Sequence, residues 1–331
     1  MNRVYLDHNA TTPLRPEARV AMIAAMDVLG NPSSVHGEGR AARTLVERAR
    51  GQVAAAIGCN PNEVIFTSGA TEAARVLAAG AEVDPTAHDC VWAHHKPGAT
   101  LQAAGYANNE TGVIAEASGA QLLDIVQAVG KVPFSFAWSG ADMAIVSAHK
   151  FGGPKGVGAL ISRDGVEAAA LAIGGGQEQG HRAGTENITG IVGMGAAAEA
   201  AAADLAASTW ARVENLRNGM EAALKASAHG LIIFGDDQPR LPNTSNFAIP
   251  GWKGETQVMQ MDLAGFAVSA GSACSSGKVR PSRVLRAMGY DDVTASSAIR
   301  VSLGLKTTET DIARFCDAWL AEYQRYKARA A

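Results

Sequence analysis

The 331-residue sequence lacks the features that would tie it to a membrane or to nucleic acid. It has no run of about 18 apolar residues, so a membrane-spanning helix is not expected. Its formal net charge is only −3, which gives no reason to expect nucleic acid or an anionic membrane as a partner. The first residues, MNRVYLDHNATTP, lack an apolar signal region, which predicts a cytoplasmic protein.

Cysteine is also scarce, and its spacing excludes two common uses. The four cysteines, Cys59, Cys90, Cys274 and Cys316, form no CxxC pair. Neither a zinc site nor a disulfide framework is therefore predicted. With 47% apolar and 18% charged residues, the chain is typical of a globular protein with a substantial core.

The first three-fifths of the chain alternates strand-like and helical segments. Strands are predicted at Glu63–Ser68, Asp142–Ala148 and Gly156–Ser162, and a single long helix at Gly195–Ala226. This alternation indicates an α/β fold with a mainly parallel central sheet flanked by helices.

The pattern changes after that helix and predicts a smaller α+β domain. The expected strands are Asn243–Ile249, Phe266–Ser269 and Ala298–Leu303, and the expected helices are Glu255–Leu263, Ser282–Met288 and Thr308–Ala328. We predict a large domain at 13–205 and a small domain formed by 1–12 and 206–331.

Two motifs follow predicted strands and could bind a ligand. SGATE, at Ser68–Glu72, could hold an anion on backbone N–H groups, or Thr71 could simply cap a helix. Lys150 lies in SAHKFGGPKGVGAL, before the glycines, so the phosphate-loop pattern GxxxxGK[ST] fails. Lys150 is then either a solvated charge or a partly buried amine able to form a Schiff base.

Three further residues have types suited to chemistry. Asp124, in LLDIVQAVGK, ends an apolar run and could hold a pyridine nitrogen protonated, or merely cap a helix. Cys274 lies in the polar, glycine-containing stretch SAGSACSSGKVRPS, which favours an exposed thiol over a buried one. Arg300 interrupts an apolar strand and needs a carboxylate, from the protein or from a substrate.

Taken together, these stretches resemble the class V aminotransferase family of PLP fold type I, and specifically cysteine desulfurases of the NifS/IscS kind. The matching segments occur in family order and include LDHNATTP, FTSGATEA, NNETGV, GGGQEQGHRAGTEN and IRVSLG. The resemblance implies a homodimer that uses pyridoxal 5′-phosphate (PLP). It implies conversion of L-cysteine to L-alanine, with the sulfur passed on as a Cys274 persulfide to an iron–sulfur scaffold or another acceptor protein.

The resemblance also implies a role for each matching residue. Lys150 would hold PLP covalently, Asp124 would pair with its pyridine nitrogen, and Gln127 with its ring hydroxyl. The phosphate would be bound by Ala70, Thr71, Ser147, His149 and, from the second subunit, Thr185. Asn108 and Arg300 would hold the substrate carboxylate, and His95 would stack on the PLP ring.

The sequence departs from the family pattern by two internal shortenings, on either side of Asn108. They predict a large domain trimmed by at least one α/β element. Two other functions remain open: a selenocysteine lyase or other class V PLP lyase, and a catalytically weak paralogue that assists sulfur or iron–sulfur assembly. In the last case Cys274 could receive sulfur or ligate a metal.

Overall fold

The computed structural model describes residues 3–115, 119–270 and 281–330, and the chain divides into two compact units. The large unit comprises Thr11–Ala107 and Ala115–Ala207. The small unit comprises Met1–Ala10, Asn108–Ile114 and Ser208–Ala331. The segment Asn108–Ile114, which the sequence analysis placed in the large domain, is grouped with the small unit.

Strands and helices are numbered in chain order through the described residues. The strands are β1 (Val4–Tyr5), β2 (Val64–Thr67), β3 (Glu82–Val83), β4 (Gln102–Gly105), β5 (Leu122–Asp124), β6 (Met143–Ser147), β7 (Gly158–Ser162), β8 (Ile232–Ile233), β9 (Thr244–Ala248), β10 (Phe266–Ala267), β11 (Ser269–Ala270) and β12 (Ala298–Ser302). The α-helices are α1 (Pro16–Met26), α2 (Gly37–Ile57), α3 (Ala70–Ala73), α4 (Asp89–Trp92), α5 (Phe136–Ser139), α6 (Ile188–Ala206), α7 (Trp210–Ser227), α8 (Gly254–Leu263), α9 (Arg283–Ala287), α10 (Asp292–Ser296) and α11 (Glu309–Ala330). Short 3₁₀ helices span Pro61–Glu63, Ala74–Leu77, Ala148–Lys150 and Gln177–Gly180.

The large unit is built on one mixed sheet. In the described residues its strand order is β2-β7-β6-β5-β4-β3, with β3 to β6 parallel to one another and β7 antiparallel to both β6 and β2. Because parallel strands share one direction, the chain leaves β3, β5 and β6 at the same edge of the sheet. This mainly parallel sheet confirms the predicted α/β class.

Both faces of this sheet are covered. Along β6, Ala144 and Val146 face a core shared with α2 and α6, whereas Met143 and Ile145 face a second core on the other side. The side chains of a strand alternate between faces, so a strand buried on both sides is apolar throughout. Its continuous apolar run is the reason this strand was predictable from sequence.

The small unit has a separate core. Its four-stranded sheet, ordered β11-β12-β9-β8 in the described residues, is antiparallel, and β1 pairs with β10 in a parallel two-stranded ribbon. Phe247 and Ile299 from the sheet pack with Phe315 and Trp319 from α11. The predicted α+β character of this region is therefore present.

Two sequence-based predictions of elements were wrong. The long helix predicted at Gly195–Ala226 is two helices, α6 and α7, which belong to different units. The helix ends because Ser208 takes a left-handed backbone conformation, with φ of 55°. The strand predicted at Phe266–Ser269 is also two strands, because β10 pairs with β1 whereas β11 pairs with β12.

The helix α6 is long and apolar enough to cross a bilayer by length and composition alone. However, Ile191, Met194, Ala198 and Ala201 are buried in the core of the large unit. A core helix of a globular protein has the same composition, so α6 gives little support for a membrane span.

A buried ion pair fixes the loop that contains Glu178. The Arg50 guanidinium donates to both carboxylate oxygens of Glu178 at 2.9 Å, and the Phe66 N–H donates to the same carboxylate at 2.8 Å. Glu178 and Gln179 both have positive φ, of 47° and 58°. This backbone conformation is unfavourable for non-glycine residues, so the ion pair must hold it in place.

We expect Glu178→Ala to lower the free energy of unfolding by about 3–5 kcal/mol, because it leaves Arg50 buried without its partner. Glu47→Ala is the matched control, since Glu47 pairs with the same arginine but its side chain is 51% exposed. The control should change stability by less than about 0.5 kcal/mol. Urea unfolding measures both, and equal effects would contradict the assignment.

Candidate active site

Asp124 is the buried centre of a cluster of ionisable side chains in the large unit. It is the last residue of β5, it is 7% exposed, and its Oδ1 accepts the Val126 N–H at 2.9 Å. Burial raises the pKa of Asp124, and His88, the Val126 N–H and Lys150 oppose that rise. A carboxyl group in this setting gains from a cationic ligand, because the ligand would stabilise its ionised form.

His88 and Cys90 lie against this carboxyl group. One ligand atom from each of His88, Cys90 and Asp124 lies within 4.8 Å of the other two. The Cys90 N–H donates to Nδ1 of His88 at 3.2 Å, so the neutral His88 ring carries its proton on Nε2. The three side chains could also hold a metal ion such as zinc. Burial, followed by the charge of Asp124, raises the pKa of the Cys90 thiol.

The structure places His95 elsewhere. Its ring stacks on Trp92 at a centroid distance of 4.3 Å, and its Nδ1 accepts the Val83 N–H at 3.2 Å. His95 pairs with Ala81, which precedes β3, whereas Asp124 ends the parallel strand β5. His95 thus lies toward the amino ends of the parallel strands, whereas His88 follows the carboxyl end of β3. The histidine beside Asp124 is His88, which sequence reasoning missed although it shortly follows β3.

Lys150 is positioned by the end of β6. It closes a 3₁₀ turn, Ala148–Lys150, directly after the strand, and its backbone carbonyl accepts the Thr12 hydroxyl at 3.2 Å. Its charge influences the pKa values of both Asp124 and Cys90. Lys150 and Asp124, which were predicted from separate motifs, are therefore close enough to interact electrostatically.

His149 is held neutral beside several lysines. Burial lowers its pKa to about 4, and the charges of Lys150, Lys155 and Lys131 act in the same direction. Its Nδ1 lies 3.1 Å from the Thr11 hydroxyl. The surrounding ammonium groups make this part of the large unit suitable for an anion such as a phosphate.

The turn before α3 brings a third group of predicted residues to the carboxyl ends of the parallel strands. Gly69 has φ of 156°, and Ser147 Oγ would lie 3.8 Å from a Cβ placed on it. A Cβ on Gly158 would lie 2.7 Å from Gly69 Cα, so β7 and this turn can meet only through glycine. Ala70 is buried and Thr71 is exposed. Backbone and hydroxyl donors from 69–71 and Ser147 thus share one region.

The glycine-rich loop that carries Thr185 is tied to α3. Arg182 Nε donates to Glu72 Oε1 at 3.0 Å, and Glu72 Oε2 also accepts the Ser68 N–H at 2.6 Å. Burial raises the pKa of Glu72, but the Ser68 and Arg182 hydrogen bonds outweigh it and lower the pKa. Thr185 itself is exposed.

Gln127 completes the predicted cofactor set. It is 3% exposed, and its Oε1 accepts the Lys131 ammonium at 2.7 Å. Lys131 is equally buried. The large unit thus contains all the predicted cofactor-binding residues, and it adds His88, Cys90 and Lys131.

The predicted substrate residues form a separate cluster in the small unit. Arg300 donates to Asp7 Oδ1 at 2.8 Å and to the Asn109 carbonyl at 3.0 Å, and its Nε is buried with no partner among the described residues. Asn108 Oδ1 accepts the N–H groups of Glu110 and Thr111, both at 2.9 Å. The Asn108 oxygen is therefore committed to its own turn. Its amide nitrogen is the end suited to a carboxylate.

Cys274, the predicted nucleophile, lies outside the described residues. The other cysteines have protonated thiols at neutral pH. Burial raises the pKa of Cys59 to about 12 and that of Cys316 to about 11. Since the thiolate is the nucleophile, these two side chains and Cys90 are poorly suited to attack a substrate.

His149 gives a testable dependence of stability on pH. The folded protein leaves this ring unprotonated down to a pKa of about 4, whereas in the unfolded chain the ring takes up a proton near the ordinary histidine pKa of 6.5. The unfolded state binds more protons between these values, so the His149 contribution to stability falls as the pH falls. We expect His149→Gln to lose less stability than the parent between pH 7 and pH 4.5. Urea unfolding of cofactor-free protein at the two pH values measures this, and an equal loss would contradict it.

Comparison with known proteins agrees with the motif-based resemblance. The class-V aminotransferase family model matches residues 4–113 and 94–315. The chain is 40% identical over 370 aligned residues to a cysteine desulfurase from Cereibacter sphaeroides, covering 96% of this chain and 95% of that protein. It is 39% identical over 361 residues to a cysteine desulfurase from Klebsiella pneumoniae, covering 94% and 90%.

A solved structure agrees in fold. The X-ray structure of a NifS-like protein from Rickettsia africae ESF-5 has a TM-score of 0.88 at 30% identity, covering 98% of this chain and 100% of that chain. The 370-residue alignment exceeds the 331 residues of the chain itself, so the Cereibacter relative carries internal residues that this chain lacks. The family resemblance and the fold type I prediction are confirmed. This chain belongs to the class-V aminotransferase family.

Proposed function

We propose that this protein is a PLP-dependent cysteine desulfurase. It converts L-cysteine to L-alanine and transfers the sulfur to Cys274. A buried carboxyl group, Asp124, lies within electrostatic reach of Lys150 and against His88 in the large unit, and this arrangement is the main support for the proposal. The relatives named cysteine desulfurase, which align over 95% and 90% of their own length, support L-cysteine as the substrate.

The residues of the large unit fit PLP. Asp124 is buried and would pair with the protonated pyridine nitrogen, a cation that would stabilise its ionised form against the effect of burial on its pKa. Lys150 would hold the aldehyde, and Gln127 the ring hydroxyl. Ala70, Thr71, Ser147 and His149 would hold the phosphate, close to the positive charges of Lys150, Lys155 and Lys131. When bound, PLP supplies an electron sink for the substrate carbon.

The chain's own residues would supply the proton chemistry. His88, which lies against Asp124, would take the role that the sequence analysis gave to His95: its ring would stack on the cofactor, and its Nε2 could move a proton. In the small unit, Arg300 and the Asn108 amide would bind the substrate carboxylate. The buried Nε of Arg300 has no acceptor among the described residues, so its guanidinium keeps one donor that makes no hydrogen bond there.

The sulfur step balances with no external oxidant. The Cys274 thiolate attacks the substrate sulfur, an S–S bond forms, and the C–S bond breaks. The carbon keeps the electron pair and takes up a proton, which gives alanine and a persulfide. A reductant or an acceptor protein, such as an iron–sulfur scaffold, then removes the sulfur.

Two surface features support the proposed homodimer. Thr185, expected to bind the phosphate of a second subunit, is exposed on its loop. Helix α1 presents Val20, Ile23 and Met26 to solvent, each more than half exposed. A second copy covering this face would bury these side chains. A cytoplasmic location also remains a prediction.

Incubation of PLP-loaded protein with L-cysteine and a thiol reductant should release sulfide and alanine in equal amounts. Lys150→Ala should lose the visible absorption of bound PLP and all turnover. Cys274→Ala should keep that absorption but form no persulfide and no sulfide. Sulfide release by Cys274→Ala at the parent rate would contradict the assigned nucleophile, and no sulfide from the parent would reject the proposed activity.

The assignment of His88 over His95 has its own test. His88→Gln should lower kcat/KM for L-cysteine by at least about 100-fold, as expected for loss of a positioned acid–base group. His95→Gln is the matched control, because that ring contacts Trp92 and Val83. It should stay within about threefold of the parent. The reverse order of effects would restore the sequence-based assignment.

A further inference from the structure

Lys131 is a buried lysine to which the proposed function assigns nothing beyond its positive charge. It is 3% exposed, although lysine is among the residues least often found in protein interiors. A buried ammonium is unfavourable unless it is hydrogen-bonded, so its position calls for a physical reason.

The chain between β5 and α5 brings Lys131 to Gln127. After Asp124 the backbone makes successive turns, in which Ile125 O accepts the Val129 N–H at 3.3 Å and Ala128 O accepts the Lys131 N–H at 2.9 Å. Gly130 has φ of 70°, and a Cβ there would lie 2.5 Å from Ala201 Cβ on α6. This close approach permits only glycine, and it places Lys131 one turn beyond Gln127.

The hydrogen bond between the two side chains has only one chemically consistent direction. Lys131 Nζ donates to Gln127 Oε1 at 2.7 Å, and an ammonium has donors but no acceptor. The amide oxygen of Gln127 must therefore face Lys131, and its NH₂ group must face the other way. Loss of this donor would remove a contact that distinguishes the two ends of the amide.

We propose that Lys131 is a positioning residue that fixes the amide of Gln127 so that its NH₂ group, rather than its oxygen, faces the cofactor's ring hydroxyl. The inference rests on the proposed function, because it takes Gln127 to lie against PLP. A hydrogen-bond donor at this position would stabilise the ionised form of the ring oxygen, so the hydroxyl group would lose its proton at a lower pH. An amide oxygen there would have the opposite effect.

The test is the pH dependence of the visible absorption of bound PLP. Lys131→Met removes the ammonium but keeps an unbranched apolar side chain of similar length. We expect it to raise the midpoint pH of the absorption change by about one unit, which is about a tenfold change in the proton equilibrium. Lys131→Arg keeps the donors and should move the midpoint much less. Lys131→Leu is a second variant without a hydrogen-bond donor and should shift the midpoint upward if Lys131→Met does not fold.

A double-mutant cycle separates positioning from a direct charge effect. If Lys131 acts through the amide, Lys131→Met should cause little further shift in a Gln127→Met background. An equal shift in both backgrounds, or no shift in folded Lys131→Met protein, would overturn the proposal. Among the described residues, the other ionisable groups named in this region are Asp124, His88, Cys90, His149, Lys150 and Lys155, and all are unchanged in every variant.

The same spectra separate failure of this inference from failure of the proposed function. Parent protein that shows PLP absorption, lost in Lys150→Ala, establishes the cofactor independently of Lys131. Parent protein that shows no such absorption at saturating PLP rejects the proposed function, and this inference with it. Apo-protein melting temperatures record any purely structural effect of Lys131→Met, which would leave the midpoint pH unchanged.

Discussion

The candidate site depends on one constraint, the parallel direction of strands β3 to β6. Because these strands point the same way, the residues that follow them reach a common edge of the sheet. Asp124 ends β5, Lys150 follows β6, and His88 follows β3. The buried carboxyl group of Asp124 then has His88 and Lys150 close enough to oppose the effect of burial on its pKa. No local feature of any one segment could produce this arrangement.

Around that edge, the supporting contacts keep flexible segments in one conformation. The Arg50–Glu178 pair holds a loop backbone that would otherwise be unfavourable, and the Arg182–Glu72 pair ties the same loop to α3. Gly158 permits the close approach of β7 to Gly69. None of these contacts takes part in the proposed chemistry, but together they fix the positions of the predicted phosphate donors.

The internal shortening leaves the core strands in place. Between β3 and β4 the described chain contains only the four-residue helix α4, and the cores on both faces of the sheet are nevertheless formed. Strand β5 still pairs with β4 and β6, and Asp124 remains at its end. The strands that carry the candidate site residues therefore form a continuous sheet in this chain.

The sequence by itself determined the fold class and most elements, and it predicts roles for Lys150, Asp124, Gln127 and the residues expected to bind a phosphate. Apolar runs predict strands buried on both faces, and motifs in family order predict residue roles. It failed for the long helix, where an alanine-rich pattern continued across the Ser208 turn. It also could not tell which of the nearby histidines His88 and His95 lies beside Asp124, because the two look alike in sequence. Only the tertiary structure distinguished them, since the direction of β3 puts His88 at the carboxyl ends of the parallel strands and His95 toward their amino ends. The same holds for Lys131, whose burial and single hydrogen-bond direction depend on packing against α6 and cannot be read from the order of residues.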